Sequence, residues 1–285
     1  MNLLCEQAQL QGTVAVPGSK SHTIRAVAIA SLADGMSQIH APLDSGDTRS
    51  SVVAYRALGA EIELLEQVWY VKGIGGEPHV PANIIDVGNS GTSLNVSLGS
   101  ASLLKNGAAV FTGDSQIRRR PEGPLISSLN DLGARVFSTR HNGCPPIVVD
   151  GTLTGGETTL EAANSQYLTS LLINAPLADG DTIIRVPLLH EKPYVEMTLD
   201  WLARQGITVE HNNFTEFRVR GGQRYQTVDR RIPADFSTAT FFLCAGALPG
   251  NDVTCAGLDM DDTQGDRAVD VGILEDDDRR IAAKL

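Results

Sequence analysis

Aromatic residues are scarce. Phe, Trp and Tyr make up 5% of the 285 residues, so the core has to be assembled from Ala, Val, Ile and Leu. Positive charge is also in short supply: 23 Lys and Arg stand against 34 Asp and Glu, a formal net charge of -11. That balance argues against non-specific nucleic-acid binding and against docking on anionic membranes. It does not exclude a small anionic ligand, because local charge decides that. No apolar run reaches membrane-spanning length. The opening MNLLCEQAQLQG has neither the basic region nor the long apolar stretch of a secretory leader. The four cysteines (Cys5, Cys144, Cys244, Cys255) are far apart and form no C-x-x-C pair. Each reads as a buried or neutral thiol in a reducing compartment, and a cytoplasmic protein is expected. What is present, 42% hydrophobic and 20% charged residues, suits a soluble globular chain long enough for two domains.

Glycine supplies the organisation. LADGMSQI, LKNGAAVF, LADGDTII and LPGNDVTC each follow a helix-prone stretch and precede a strand-prone one. Their glycines, Gly35, Gly107, Gly180 and Gly250, lie about 72 residues apart. A second series, Gly59, Gly133 and Gly206, closes amphipathic helices at the same interval, where a left-handed residue is expected at the helix end. Helix starts recur in phase. GSKS, NSGTS, ANSQ and DFSTA put hydroxyl or amide residues before apolar runs, as N-caps do. Each unit therefore reads helix, turn, strand, second helix, glycine, then one or two strands, with second helices beginning near Asp47, Pro121, Pro193 and Asp266. Asp235 reads as a structural cap of the fourth unit. A closing glycine is due near residue 279, where the sequence is EDDDRRIAAKL. Three complete units and most of a fourth are expected, with a truncation or foreign tail at the end.

A helix start offers free N–H groups and a positive dipole end. Lys20 stands at one such start, and GDSQIRRRPEGPL brings Arg118, Arg119 and Arg120 to the edge of another. Arginine forks match phosphate and carboxylate. Singly, each feature is ordinary: a solvated lysine, a solvated arginine run, a capped turn. Their placement at equivalent edges of a repeat points to a small anionic ligand, with room for two anionic groups.

PGSKSHTIRA, GNSGTS, GDSQIRRRPEGPL, NSQYLTSLL, EKPYVEMTL, PADFSTATFFL and TQGDRAVDV occur in an order that resembles the EPSP synthase (3-phosphoshikimate 1-carboxyvinyltransferase) family, from about residue 12 to residue 271. The resemblance implies an α/β fold, the inside-out α/β barrel built from βαβαββ repeats. Residues 14–230 would form one complete three-repeat domain that binds shikimate 3-phosphate. Residues 1–13 and 231–285 would form an incomplete second domain, whose open faces need a complementing chain or self-association. By the same resemblance, Lys20 contacts both substrates and, with Arg120, is catalytic. Ser21, Arg25, Asn164, Ser165, Gln166 and Tyr194 hold shikimate 3-phosphate, and Gly91, with Asn89 and Thr92 of its turn, meets phosphoenolpyruvate. No metal or organic cofactor is implied. Three positions depart from the family pattern. Asn95 stands where Arg is common, Asn164 where Ser is common, and Glu191 where Ser is common. A carboxylate at Glu191 would repel the phosphate unless turned away.

The implied reaction joins the 5-hydroxyl of shikimate 3-phosphate to C2 of phosphoenolpyruvate through a tetrahedral intermediate and expels phosphate. Other catalytic groups of the family lie beyond the matched region, so little turnover by this chain alone is expected. Three alternatives stay open. One is a non-catalytic shikimate 3-phosphate-binding module, or a split half that needs a complement. Another is the related transferase class that uses UDP-N-acetylglucosamine, which fits less well: its G-A-K-N start and loop cysteine are missing from Ser19-Lys20-Ser21 and the arginine loop. The third is a repeat scaffold with no small-molecule role.

Overall fold

In a computed structural model that describes residues 9–268, the chain divides into two compact units: Lys20–Ile232, and the segments Met1–Ser19 and Pro233–Leu285. The larger unit is three turns of one motif. In the first, α1 (Lys20–Leu32), β2 (Met36–His40), α2 (Gly46–Ala57), β3 (Glu61–Leu64) and β4 (Val68–Lys72) follow in order. The second runs β5 (Ile85–Asp86), α3 (Gly91–Ala101), β6 (Ala108–Thr112), α4 (Gly123–Asp131), β7 (Arg135–Ser138) and β8 (Ile147–Asp150). The third runs β9 (Gly156–Ala162), α5 (Ser165–Asn174), β10 (Thr182–Leu189), α6 (Lys192–Arg204), β11 (Val209–Asn212) and β12 (Glu216–Val219). Each builds a four-stranded sheet of the same pattern, β5-β6-β8-β7 and β9-β10-β12-β11, with the first pair parallel and the others antiparallel. The first sheet obeys the pattern by borrowing: β13 (Asp229–Arg231), from the far end of the unit, lies parallel to β2 in the order β13-β2-β4-β3.

The two helices of each motif do different work. In α1, α3 and α5 every residue after the first two is buried. Alternation of apolar with small hydroxyl residues lets these helices be buried on all sides. Their hydroxyls bond inward: Ser170 Oγ donates to the Asn95 carbonyl at 2.6 Å, Ser100 Oγ to Asn174 Oδ1 at 2.8 Å, and Asn174 Nδ2 to the Val96 carbonyl at 3.2 Å. Gly99 permits this approach, because a Cβ there would fall 2.4 Å from Asn174 Nδ2. By contrast α2, α4 and α6 are amphipathic and bury one face. Gly59, Gly133 and Gly206 close them with φ of +108°, +103° and +70°, conformations that cost a side-chain-bearing residue about 1 kcal/mol or more. Gly180 differs from its counterparts Gly35 and Gly107 in not adopting positive φ. The arginine-loop helix starts at Gly123 rather than Pro121, with Pro124 in its first turn.

In the described part of the other unit, β1 (Gln11–Ala15) pairs parallel with β14 (Asp252–Ala256), beside α7 (Phe236–Gly246). Asp235 caps α7, accepting from the Thr238 amide at 3.2 Å. Its buried cluster is small (Val16, Ala234, Ala239, Leu243 and Cys255), and Phe241 and Leu248 are exposed. The turn looked for near residue 279 lies outside the described residues. Among the described residues no helix is long and apolar enough to cross a membrane.

Candidate anion-binding site

Within the larger unit, five helices bring their starts to two neighbouring hollows. The larger, about 530 Å³, is lined by Lys20 of α1, Gly46, Asp47 and Ser50 of α2, Gly88 to Ser90, Gly91 and Thr92 of α3, Arg120, and Gln166 of α5. The smaller, about 160 Å³, is lined by Lys20, Ser21, Arg25, Thr92, Ser165, Gln166, Glu191 and Tyr194. Lys20, Thr92 and Gln166 belong to both. The first-turn amides of these helices have no acceptor within their own helix, and their dipoles add positive potential.

Local sequence fixes each start. Ser90 caps α3, accepting from the Ser93 amide at 3.3 Å, and Ser93 Oγ donates to the Asp47 carbonyl at 3.0 Å, tying the start of α3 to that of α2. Asn164 caps α5 by accepting from the Gln166 amide at 3.0 Å. The Gly-Asp of the arginine loop is wedged against the turn before α3: the Asp114 amide donates to the Gly88 carbonyl at 2.7 Å. Asp114 Oδ1 then receives the amides of Gln116 and Ile117, at 2.8 and 2.9 Å, which curls the loop. The curl aims one arginine inward. Arg120 Nη2 lies 3.4 Å from Asn89 Oδ1, whereas Arg118 bonds the Gly113 carbonyl and Arg119 is exposed outside both hollows.

Arg25 is the unusual group. It is 3% exposed, and four of its five N–H bonds are committed to neutral acceptors. Nε donates to Thr198 Oγ1 at 3.0 Å, Nη1 to the Ser21 carbonyl at 3.0 Å, and Nη2 to Thr169 Oγ1 at 3.3 Å and the Tyr194 carbonyl at 2.8 Å. Among the described residues it forms no ion pair. Burial accordingly pulls its pKa from 12.5 down to about 10. A buried cation with no counter-charge, at the wall of an open hollow, calls for an anion there. Lys20 is held loosely by comparison: Nζ is 3.6 Å from Asp47 Oδ2, with both side chains well exposed, a pair of small energetic weight.

Of the residues expected from the sequence, Lys20, Asn89, Gly91, Thr92, Arg120 and Gln166 meet in the larger hollow, and Ser21, Arg25, Ser165 and Tyr194 meet in the smaller. Asn164 lines neither hollow, its Oδ1 being spent on capping α5. Glu191 is not turned away: its Oε2 accepts from Ser165 Oγ at 2.8 Å, at the start of α5. Asp47 and Ser50 are additions that the sequence signalled only as parts of a helix start. Glu122 is another: it lies 2% exposed behind the arginine loop. No sequence pattern separates a solvated loop carboxylate from that one.

The repeated α/β motifs thus direct the starts of buried helices at two adjoining hollows that carry Lys20, Arg25 and Arg120. Comparison with known proteins is specific. The family model of EPSP synthase (3-phosphoshikimate 1-carboxyvinyltransferase) matches residues 4–284, and the chain belongs to that family. It is 50% identical over 276 residues to the 3-phosphoshikimate 1-carboxyvinyltransferase of Acetivibrio thermocellus, and 47% identical over 276 residues to that of Ruminiclostridium cellulolyticum. Each match takes in 97% of this chain and 65% of the relative, so the chain spans just under two thirds of the length of these proteins. The structure of EPSP synthase from Acinetobacter baumannii superposes with a TM-score of 0.79 at 26% identity, covering 94% of this chain and 58% of that one.

Proposed function

We propose that the smaller hollow receives shikimate 3-phosphate and the larger receives phosphoenolpyruvate, as the substrate sites of a 3-phosphoshikimate 1-carboxyvinyltransferase. The observation that carries this reading is Arg25, a buried guanidinium without a carboxylate partner beside an open hollow. In this reading Arg25, Ser21, Ser165 and Tyr194 surround the sugar-like ring and its phosphate. Arg120 and the Gly91 turn take the enol phosphate, and Lys20, common to both hollows, neutralises charge where the substrates meet. The 5-hydroxyl passes its proton to a base as its oxygen adds to C2 of phosphoenolpyruvate, and C3 gains a proton, for which Lys20 is the candidate donor. The resulting tetrahedral adduct then expels phosphate as C3 gives up a proton, which restores the carbon–carbon double bond of the carboxyvinyl group. Holding two polyanions in register supplies most of the acceleration asked of the protein, of the order of 7–11 kcal/mol in well-oriented cases. The larger unit would be one three-repeat half of an inside-out α/β barrel, with residues 1–13 and 231–285 belonging to the second half. A reducing, cytoplasmic setting suits Cys144, Cys244 and Cys255, which form no disulfide among the described residues.

Calorimetry tests the reading: shikimate 3-phosphate should bind with 1:1 stoichiometry, and phosphoenolpyruvate should bind more tightly once it is present. No heat from either ligand would overturn the proposal. Glu191 gives a further check. Its carboxylate holds the Ser165 hydroxyl that an incoming phosphate would use. Glu191→Gln is therefore expected to tighten shikimate 3-phosphate binding roughly 5- to 30-fold, as removal of about 1–2 kcal/mol of like-charge opposition would do. A weaker complex would instead make Glu191 a ligand-holding group.

A further inference from the structure

Two buried acceptor atoms on neighbouring side chains, Asn95 of the helix that lines the larger hollow and Glu122 beside Arg120, lack a donor. Asn95, 1% exposed, uses both amide hydrogens: Nδ2 donates to the Gly91 carbonyl at 2.9 Å and to Gln166 Oε1 at 3.2 Å. Its Oδ1 is buried with no donor, and so is Glu122 Oε2. The two side chains interact directly. Turning the Asn95 amide over does not help, because it would aim oxygen at the Gly91 carbonyl, which cannot donate. A single proton resolves both orphans. We propose that Glu122 is kept as a neutral carboxylic acid that donates to Asn95 Oδ1, and that it thereby positions Gly91, Gln166 and Arg120 for an anion in the larger hollow.

The surroundings favour the neutral form. Burial drives the Glu122 pKa from 4.5 up to about 8, against the opposing pull of Arg120 and the Asn95 amide. Tyr167 of α5 faces the same place. Its own ionisation is pushed well up by burial, then by Glu122 and by Cys144, and its hydroxyl donates to the Pro121 carbonyl at 2.5 Å. From the loop after β7, the Gly143 carbonyl takes the Glu122 amide at 2.7 Å. Among the described residues Arg120 is thus the one cation facing Glu122, Tyr167 is a neutral neighbour, and Cys144 stands beyond it. Ionised, Glu122 would oppose one acceptor with another and release the Asn95 amide from Gly91 and Gln166. It would also draw Arg120 back from the hollow. Both effects weaken anion binding above about pH 8.

The inference rests on the phosphoenolpyruvate reading for its ligand, but the proton itself can be followed without one. In protein labelled with carbon-13 at glutamate Cδ, one carboxyl should titrate near pH 8 and vanish in Glu122→Gln, while the Asn95 side-chain amide signal moves along the same curve. If no such carboxyl is seen, or if the Asn95 amide ignores it, the proposal is overturned whether or not any ligand binds. Phosphoenolpyruvate affinity, measured with shikimate 3-phosphate present, should fall about tenfold from pH 7 to pH 9 in the natural chain. Phosphate esters lose their second proton near pH 6, so the ligand is already fully charged over this range. Glu122→Gln, whose amide can donate to Asn95 Oδ1, should flatten that profile. Glu122→Met, which cannot donate, should bind weakly at every pH. A profile unchanged in Glu122→Gln would assign the pH dependence to another group and remove the positioning role. Absence of ligand binding at every pH, together with a titrating Glu122–Asn95 pair, would sink the substrate assignment and leave the neutral acid standing.

Discussion

Replacing Arg25 with methionine is expected to weaken shikimate 3-phosphate binding roughly 10- to 150-fold, the worth of a charge-assisted contact, without lowering the melting temperature. The two halves of that expectation come from one fact. The folded chain buries a guanidinium among neutral acceptors, and its pKa drops from 12.5 to about 10. At about 1.4 kcal/mol per unit, that corresponds to roughly 3 kcal/mol against the charged form at neutral pH. The sign is that of a base with a depressed folded pKa: at pH 7 the side chain is charged both folded and unfolded, so folding bears the whole cost. Methionine removes it and keeps much of the packing volume. Few partners are stranded, because the Tyr194 carbonyl retains Thr198 Oγ1 at 2.9 Å and Thr169 retains Thr198 at 3.1 Å. Calorimetry with the ligand and a thermal melt without it make the check. A melting temperature that falls by many degrees would show Arg25 to be a structural tie rather than a stored charge.

Gly91→Ala is expected to cost at least tenfold in phosphoenolpyruvate affinity while shikimate 3-phosphate affinity stays within about twofold. A Cβ at residue 91 would fall 2.4 Å from Arg120 Nη1 and 3.4 Å from Gln166 Oε1. The atom struck is the far end of a flexible side chain, so Arg120 yields and the backbone does not. Gly91 is the first residue of α3 and has no positive φ, so alanine brings no backbone strain and gains up to about 1 kcal/mol of helix preference. Stability should hold and the guanidinium should be displaced. Titrating each ligand into both proteins separates this outcome from general damage, which would reduce both affinities together.

Much of this arrangement is readable in the sequence because it rests on local chemistry. Ser90, Asn164 and Asp235 act as caps where hydroxyl or amide residues precede apolar runs. Gly59, Gly133 and Gly206 take the left-handed turns that their positions after amphipathic helices demand. Lys20 stands at one of the repeated helix starts, and Arg120 reaches the same hollow from the loop before α4. What the sequence conceals depends on contacts between distant segments. Arg118, Arg119 and Arg120 look alike in order, yet the Asp114 curl sends only the last inward. Gln166 is shared between hollows through Asn95, 71 residues away. Glu122 resembles any surface acid until the Gly143 segment closes over it. The Glu191 carboxylate could be expected in the neighbourhood, but its hold on Ser165 could not.

The origin of β13 bears on how the larger unit can be cut. Its three motifs are strung in sequence, but the circle is fastened by residues 229–231 lying against β2. A fragment ending at Val219 would keep the third sheet whole and lose a strand from the first. It would bare the flank of β2, some 180 residues from the cut, and an unpaired strand flank invites pairing between molecules. Fragments meant to stay monomeric should therefore run at least through Ile232, whose amide bonds the His40 carbonyl at 2.8 Å and completes the clasp.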